Sequence, residues 1–110
     1  MKAKTSAPTR RGLLAGGNWI VDQVKIIDVW PQPEKLANIL RQSQGTGGAP
    51  FNVLVDLARA GAPFPLWAAG LVGDDPLGQW IFETCRRYRI QTQYLGRTKR
   101  AATSYTDVMT

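Results

Sequence analysis

Apolar positions recur in two rhythms along this chain, and the rhythms alternate. Within residues 50–60, Phe51, Leu54, Val55 and Ala58 follow an i, i+3, i+4, i+7 stripe, the spacing of one buried helix face. Pro50 falls in the first turn, where a missing N–H costs little, and Gly61 suits the position just past a helix end. From Pro76 to about Arg89 the pattern repeats in Leu77, Ile81 and Cys85, with Trp80 and Tyr88 alongside. Asp75 is placed to cap that helix and Pro76 to open it. Arg86, Arg87 and Arg89 fall in its last turn, where cations favour the helix dipole.

Between and around the two helices the chain reads as strands. Leu13–Ala15 and Leu66–Val72 are uniformly apolar, as expected of strands buried on both faces. A break at Gly16, Gly17 and Asn18 separates the first of these from a β-rich run over 21–30. Residues 90–95 form a further short strand, 96–100 a basic turn, and 103–110 a last strand. Pro31-Gln-Pro33 interrupts the chain. Residues 34–44 satisfy both templates: Leu36, Ile39 and Leu40 fit a helical turn, and 39–44 fit a strand. The order β-β-(β or loop)-α-β-α-β-(β) predicts an α/β fold on a parallel sheet with right-handed crossovers. Ligands in such sheets bind beyond the carboxyl ends of strands. That places the surroundings of Asp22, the Gly47-Gly48 turn and the Gly73-Asp74 turn on one rim. Two helices cover only part of such a sheet, so residues 12–110 are expected to be the N-terminal part of a larger domain.

The segment Gly45-Thr-Gly-Gly-Ala-Pro-Phe-Asn52 holds the densest candidate chemistry. It reads as a flexible glycine turn feeding the N-terminus of the first helix. Free N–H groups and the helix dipole at such an end attract anions or polar oxygens, and the Asn52 amide lies in the same turn. The plain alternative is a glycine-rich loop before a core helix. Asp22 stands among Ile20, Val21 and Val24, where an unpaired carboxylate is costly to bury. Either it faces solvent, or it faces a site that supplies hydroxyl donors.

Composition narrows the classes. The chain has 110 residues, 44% hydrophobic and 20% charged, matching one soluble globular domain. Its net charge is +6, but Lys2, Lys4, Arg10 and Arg11 carry four of these charges in the first eleven residues. Residues 1–11 lack the apolar core of a secretory signal and read as a disordered basic tail, with a transit peptide as the alternative. Arg86, Arg87 and Arg89, then Arg97, Lys99 and Arg100, form two more basic clusters. A solvated helix face and a loop explain them without nucleic acid, since no DNA- or RNA-binding motif accompanies them. The other class they leave open is a small nucleotide- or nucleic-acid-binding module. The absence of histidine removes His-based dyads and His metal ligands. One cysteine, Cys85, permits no internal disulfide and reads as a small core residue. Apolar runs fall short of the ~20 residues that span a bilayer, so a cytoplasmic protein with no membrane partner is expected. No Gly-Lys-Ser/Thr follows the glycines, which excludes a phosphate loop of that type.

In order, Gly17-Asn-Trp-Ile-Val-Asp22, Gly47-Gly-Ala-Pro-Phe-Asn52 with Leu57-Ala-Arg-Ala-Gly61, and Gly70-Leu-Val-Gly-Asp-Asp-Pro-Leu-Gly78 resemble the PfkB/ribokinase family of carbohydrate kinases. Ile90-Gln-Thr92 and Thr103-Ser104 resemble the family's next two strand starts. The resemblance implies a ribokinase-like sandwich, N-terminal part only, with a small β lid built from about 23–44 and 103–110. It implies transfer of the γ-phosphate of ATP, with Mg²⁺, to a sugar or sugar-like hydroxyl. Asp22 would accept bonds from substrate hydroxyls, Gly47 and Gly48 would let backbone close on the sugar, and Asn52 would bond a hydroxyl, with Asn18 as a neighbour. A homodimer through the lid is a further implication. The family's Gly-Ala-Gly-Asp motif, with its general base and anion hole, lies far downstream, as does its nucleotide site. No catalytic residue is therefore expected among these 110, nor an ATP or metal site. Ala49 stands where ribokinases proper carry lysine, Leu54 where a small residue is usual, and Gln91 where an aspartate is usual. Asp74 and Asp75 are assigned to the helix start, not to catalysis.

Overall fold

The computed structural model describes residues 9–110, and residues 1–8 of the expected basic tail lie outside it. Eight elements follow one another: β1 (Leu13–Gly16), β2 (Ile20–Ile27), β3 (Ile39–Gly47), α1 (Ala49–Arg59), β4 (Leu66–Gly73), α2 (Pro76–Arg87), β5 (Ile90–Thr98) and β6 (Ser104–Met109). They form two three-stranded sheets, ordered β1-β4-β5 and β3-β2-β6.

The first sheet is entirely parallel, as the alternation of strands and helices requires. Its core joins Phe51, Leu54 and Val55 of α1 and Ile81, Phe82 and Cys85 of α2 to Leu66, Ala68, Val72, Ile90 and Leu95 of the strands. Asp75 caps α2 through an acceptor bond from the Gly78 N–H at 2.8 Å. Arg89, just past the end of α2, sits at φ 59, in the left-handed position that glycine usually fills after a helix.

The expectation of strands buried on both faces is corrected. Helices cover one face of this sheet only, and Leu14, Leu71 and Tyr94 on the other are 61%, 61% and 62% exposed. Trp67 and Tyr94 stack across it, ring centres 5.7 Å apart. Uniform apolarity reported a face able to be buried, not one buried by these residues.

The second sheet settles the ambiguous stretch. Residues 39–47 are strand, antiparallel to β2, and nothing in 34–38 is helical. Ladder pairing with β2 decides in favour of strand where local propensity did not. Gly45 and Gly47 lie inside β3, so the glycine cluster is not one flexible turn. The turn is confined to Gly48. The basic turn over 96–100 is shorter than expected, because β5 continues to Thr98. β6 runs parallel to β2 and completes the lid.

Candidate functional site

The two sheets meet where the chain crosses twice. On one crossing, Gly17 at φ 142 leads through Asn18 and Trp19 into β2. On the other, β3 ends and Gly48 at φ 83 opens α1. The two crossings touch. A Cβ on Gly48 would lie 2.1 Å from the Asn18 carbonyl oxygen, so both the dihedral and the contact require glycine there. Trp19 pins the junction. It is 2% exposed, its indole N–H donates to the Ala69 carbonyl at 2.8 Å, and its ring lies 5.1 Å from that of Phe51. The lid root is thus fastened to the core at β4 and α1.

Alternation along β2 sends Val21 into the core and Asp22 to the opposite face. Val21 is fully buried and Asp22 half-buried. Ile20, Asp22 and Val24 share that face with Gly45 and Gly47 of β3. A Cβ on Gly47 would stand 2.5 Å from Asp22 Oδ1, so the missing side chain at Gly47 is the space the carboxylate occupies. Among the described residues Asp22 makes no hydrogen bond or ion pair, which leaves its oxygens as open acceptors. Thr106 on β6 is its register partner and presents a hydroxyl on the same face. Sequence reasoning did not single out Thr106, because only the pairing of β6 with β2 reveals it.

The remaining candidates divide. Asn18 meets the cluster through its backbone carbonyl, and its side chain is exposed. Gly48 caps α1 without any side-chain acceptor, so the first N–H groups of that helix lack a side-chain partner. Asn52 is not joined to Asp22. The Thr46 hydroxyl donates to Asn52 Oδ1 at 2.6 Å, and Thr46 alternates with Gly45 and Gly47 along β3. Among the described residues the Asn52 side-chain nitrogen has no acceptor and remains a free donor. The structure therefore gathers Asp22, Gly47, Gly48 and the Asn18 backbone, and anchors Asn52 separately through Thr46.

The Gly73–Gly78 segment is a knot between β4, α2 and β6. Asp75 accepts from the Gly78 N–H, the Thr103 N–H and the Thr103 hydroxyl at 2.8, 2.8 and 2.6 Å. The hydroxyl bond first, then the two N–H bonds, hold its carboxyl below the ordinary value of 3.8. A Cβ on Gly78 would strike the Gly73 carbonyl at 2.0 Å. This is structural work, as expected for a capped helix start. Cys85 is buried, and burial pushes its thiol up to about 12, so it packs and does not react. Arg97 covers the Phe82 ring at 4.1 Å. Among the described residues no three His, Cys, Asp or Glu side chains gather as metal ligands, and both Asp75 oxygens are taken. Asp75 is thus committed to the helix start and does not fit as a Mg²⁺ ligand. No helix among them is long and apolar enough to cross a membrane.

Comparison with known families places this geometry. The profile of the pfkB family carbohydrate kinases matches residues 17–109. The chain belongs to that family. Comparison with curated protein sequences gives no significant match. Among solved structures, the chain is similar to a fructokinase from Xylella fastidiosa, with 26% identity and TM-score 0.70 over 91% of this chain and 30% of that one. It also resembles a ribokinase from Cryptococcus neoformans in complex with ADP, with 22% identity and TM-score 0.72 over 91% and 30%. A nucleoside kinase from Methanocaldococcus jannaschii gives 17% identity and TM-score 0.78 over 94% and 34%. The fold is ribokinase-like, and the chain spans about a third of the length of these structures.

Proposed function

We propose that this chain forms the sugar-binding part of an ATP-dependent carbohydrate kinase, with the phosphate-transfer machinery supplied by residues outside it. One observation carries the reading: an open carboxylate, Asp22, is lodged over the side-chain-free Gly47 at the root of a β lid. A carboxylate accepts hydroxyl hydrogen bonds, and charge-assisted bonds are the stronger ones. Gly47 yields its side-chain space to the Asp22 carboxylate and Gly48 lets the two crossings meet, so both glycines hold the acceptor in place for the sugar. Thr106 adds a hydroxyl beside Asp22, and the Asn52 amide supplies a donor. The lid would keep water from competing for the transferred phosphoryl group. ATP use is supported by the fructokinase structure solved with bound ATP, and Mg²⁺ belongs to the same proposal.

In this reading the protein works in the cytoplasm on a sugar or sugar-like alcohol, with no nucleic-acid or membrane partner. Ile39, Leu40, Tyr105 and Met109, exposed on the outer lid strands, support pairing of two lids. The uncovered face of the β1-β4-β5 sheet supports a further protein layer, because parallel sheets are ordinarily covered on both sides.

The test is phosphoryl transfer from labelled ATP by the native protein to a panel of hexoses, pentoses and nucleosides, repeated with Asp22→Ala. Loss of one charged substrate contact is worth about 1.5–3 kcal/mol, so kcat/KM is expected to fall at least tenfold and up to about a hundredfold. Near-wild-type activity of the variant overturns the assignment.

A further inference from the structure

The rear of the lid holds a second concave site, on the face away from Asp22. Gln44 and Thr46 of β3, the last turns of α1 and α2, and the side of Trp80 enclose a cavity of about 290 Å³. That is the low end of small-molecule sites, about 300 Å³ upward. Arg59 enters it from α1 and Arg87 from α2. No acidic side chain lines it, and neither guanidinium has a salt-bridge partner among the described residues. Glu83 lines the adjoining hollow with Arg87 without pairing to it.

Each arginine has a local reason to sit in a last helical turn. That reason does not bring two of them, from different helices, into one cavity. Nor does it supply the polar wall of Gln44 and Thr46 or the aromatic wall of Trp80 and Tyr88. Arg87 is partly held in place: its guanidinium lies 5.5 Å from the Tyr88 ring centre and 3.5 Å from the Thr84 hydroxyl oxygen. The planar fork of each exposed arginine matches the oxygens of a phosphoryl group, which guanidinium binds in bidentate fashion.

We propose that this groove binds a small phosphate-bearing molecule, its phosphoryl oxygens on Arg59 and Arg87 and its remainder against Trp80. The site is independent of the sugar-binding reading. It shares no side chain with the Asp22 cluster, although Thr46 links it to Asn52. Because β3 belongs to the lid and both arginines to the helix layer, an occupant here bridges lid and core.

The experiment is calorimetric titration of the native protein with inorganic phosphate and with phenyl phosphate, which has no sugar hydroxyls for the Asp22 site. It is run on wild type and on Arg59→Ala, Arg87→Ala and the control Arg86→Ala, an exposed neighbour outside the groove. Saturable binding is expected, weakened about tenfold or more by each groove variant and unchanged in Arg86→Ala. Tighter binding of phenyl phosphate identifies an organic ligand using the Trp80 wall. Equal affinities identify free phosphate as the occupant. Absence of binding at 10 mM (roughly the weakest useful affinity, about −3 kcal/mol) overturns the proposal. So does equal weakening by Arg86→Ala, which would show diffuse charge attraction. Asp22→Ala leaves this titration unchanged while lowering sugar phosphorylation about tenfold or more, so the two readings fail separately.

Discussion

The helix-backed sheet and the lid are both three-stranded, yet they are held together in different ways. In β1-β4-β5 the buried side chains come from both helices and from the strands, and the sheet is one wall of a core. In β3-β2-β6 every residue of β6 is exposed, and most of β3 is too. Val21 is the one side chain of this sheet in the core. Ladder hydrogen bonds, the Lys25–Asp107 ion pair and the Trp19 anchor hold the rest. Burial stabilises in proportion to apolar area removed from water, so folding free energy concentrates in the first sheet. The second sheet contributes little to it and is thereby free to carry polar chemistry on an accessible face. The candidate site lies at the seam, where Asp22 and Gly47 belong to the lid and Gly48 opens a core helix.

The sharpest way to break this comparison is to remove its pivot. Phe51 is fully buried and contacts Trp19 and Trp80. Phe51→Ala is expected to cost about 3–5 kcal/mol, read by denaturant unfolding, and to loosen the lid root with the core. Asp22→Ala is the converse: activity falls as stated above while the unfolding midpoint moves little. A large stability loss in Asp22→Ala would show that the lid carries more of the fold than its burial indicates.

Smaller effects sharpen the boundary. Asp75→Ala removes an N-cap and the Thr103 bonds and should cost about 1–2 kcal/mol. Because the carboxyl is held below its ordinary value, its stabilisation is fully present above pH about 4 and fades as pH falls through the lowered folded value. The wild-type advantage over Asp75→Ala in chemical unfolding should therefore shrink below about pH 4. An advantage unchanged in acid would show that the anionic form is not what stabilises the knot. Gly47→Ala puts a methyl 2.5 Å from Asp22 Oδ1 and 3.2 Å from Ile20 Cβ. The carboxylate must swing aside, so KM for the sugar should rise about tenfold, or about 1.4 kcal/mol, with kcat less affected. Arg89→Gly relieves a left-handed residue and should stabilise by about 1 kcal/mol with no change in activity.

How much was legible beforehand follows from which forces are local. Both helices, their proline starts, the Asp75 cap and the core positions Phe51, Leu54, Ile81 and Cys85 follow from periodicity and capping chemistry, which act within a few residues. Asp22 and Gly47 could be picked out as unusual residues, an acid among aliphatics and a glycine beside a turn. Their contact could not, because it arises from a diagonal across the β2–β3 ladder. Thr106 was missed for the same reason, and Asn52 was grouped with Asp22 although its bond runs to Thr46. The strand at 39–47 was ambiguous because its residues have no core to face. Its conformation is set by pairing with β2.

The sequence by itself determined the order of elements apart from the stretch over 34–44, the helix boundaries to within two residues, and the family to which the chain belongs. Each of those depends on residue types at fixed short spacings. Only the tertiary structure decided that the strands sort into two sheets, that one of them leaves an apolar face uncovered, and that a carboxylate fits the space of an absent side chain. Those features come from pairing between segments tens of residues apart, where register and not composition sets which atoms meet.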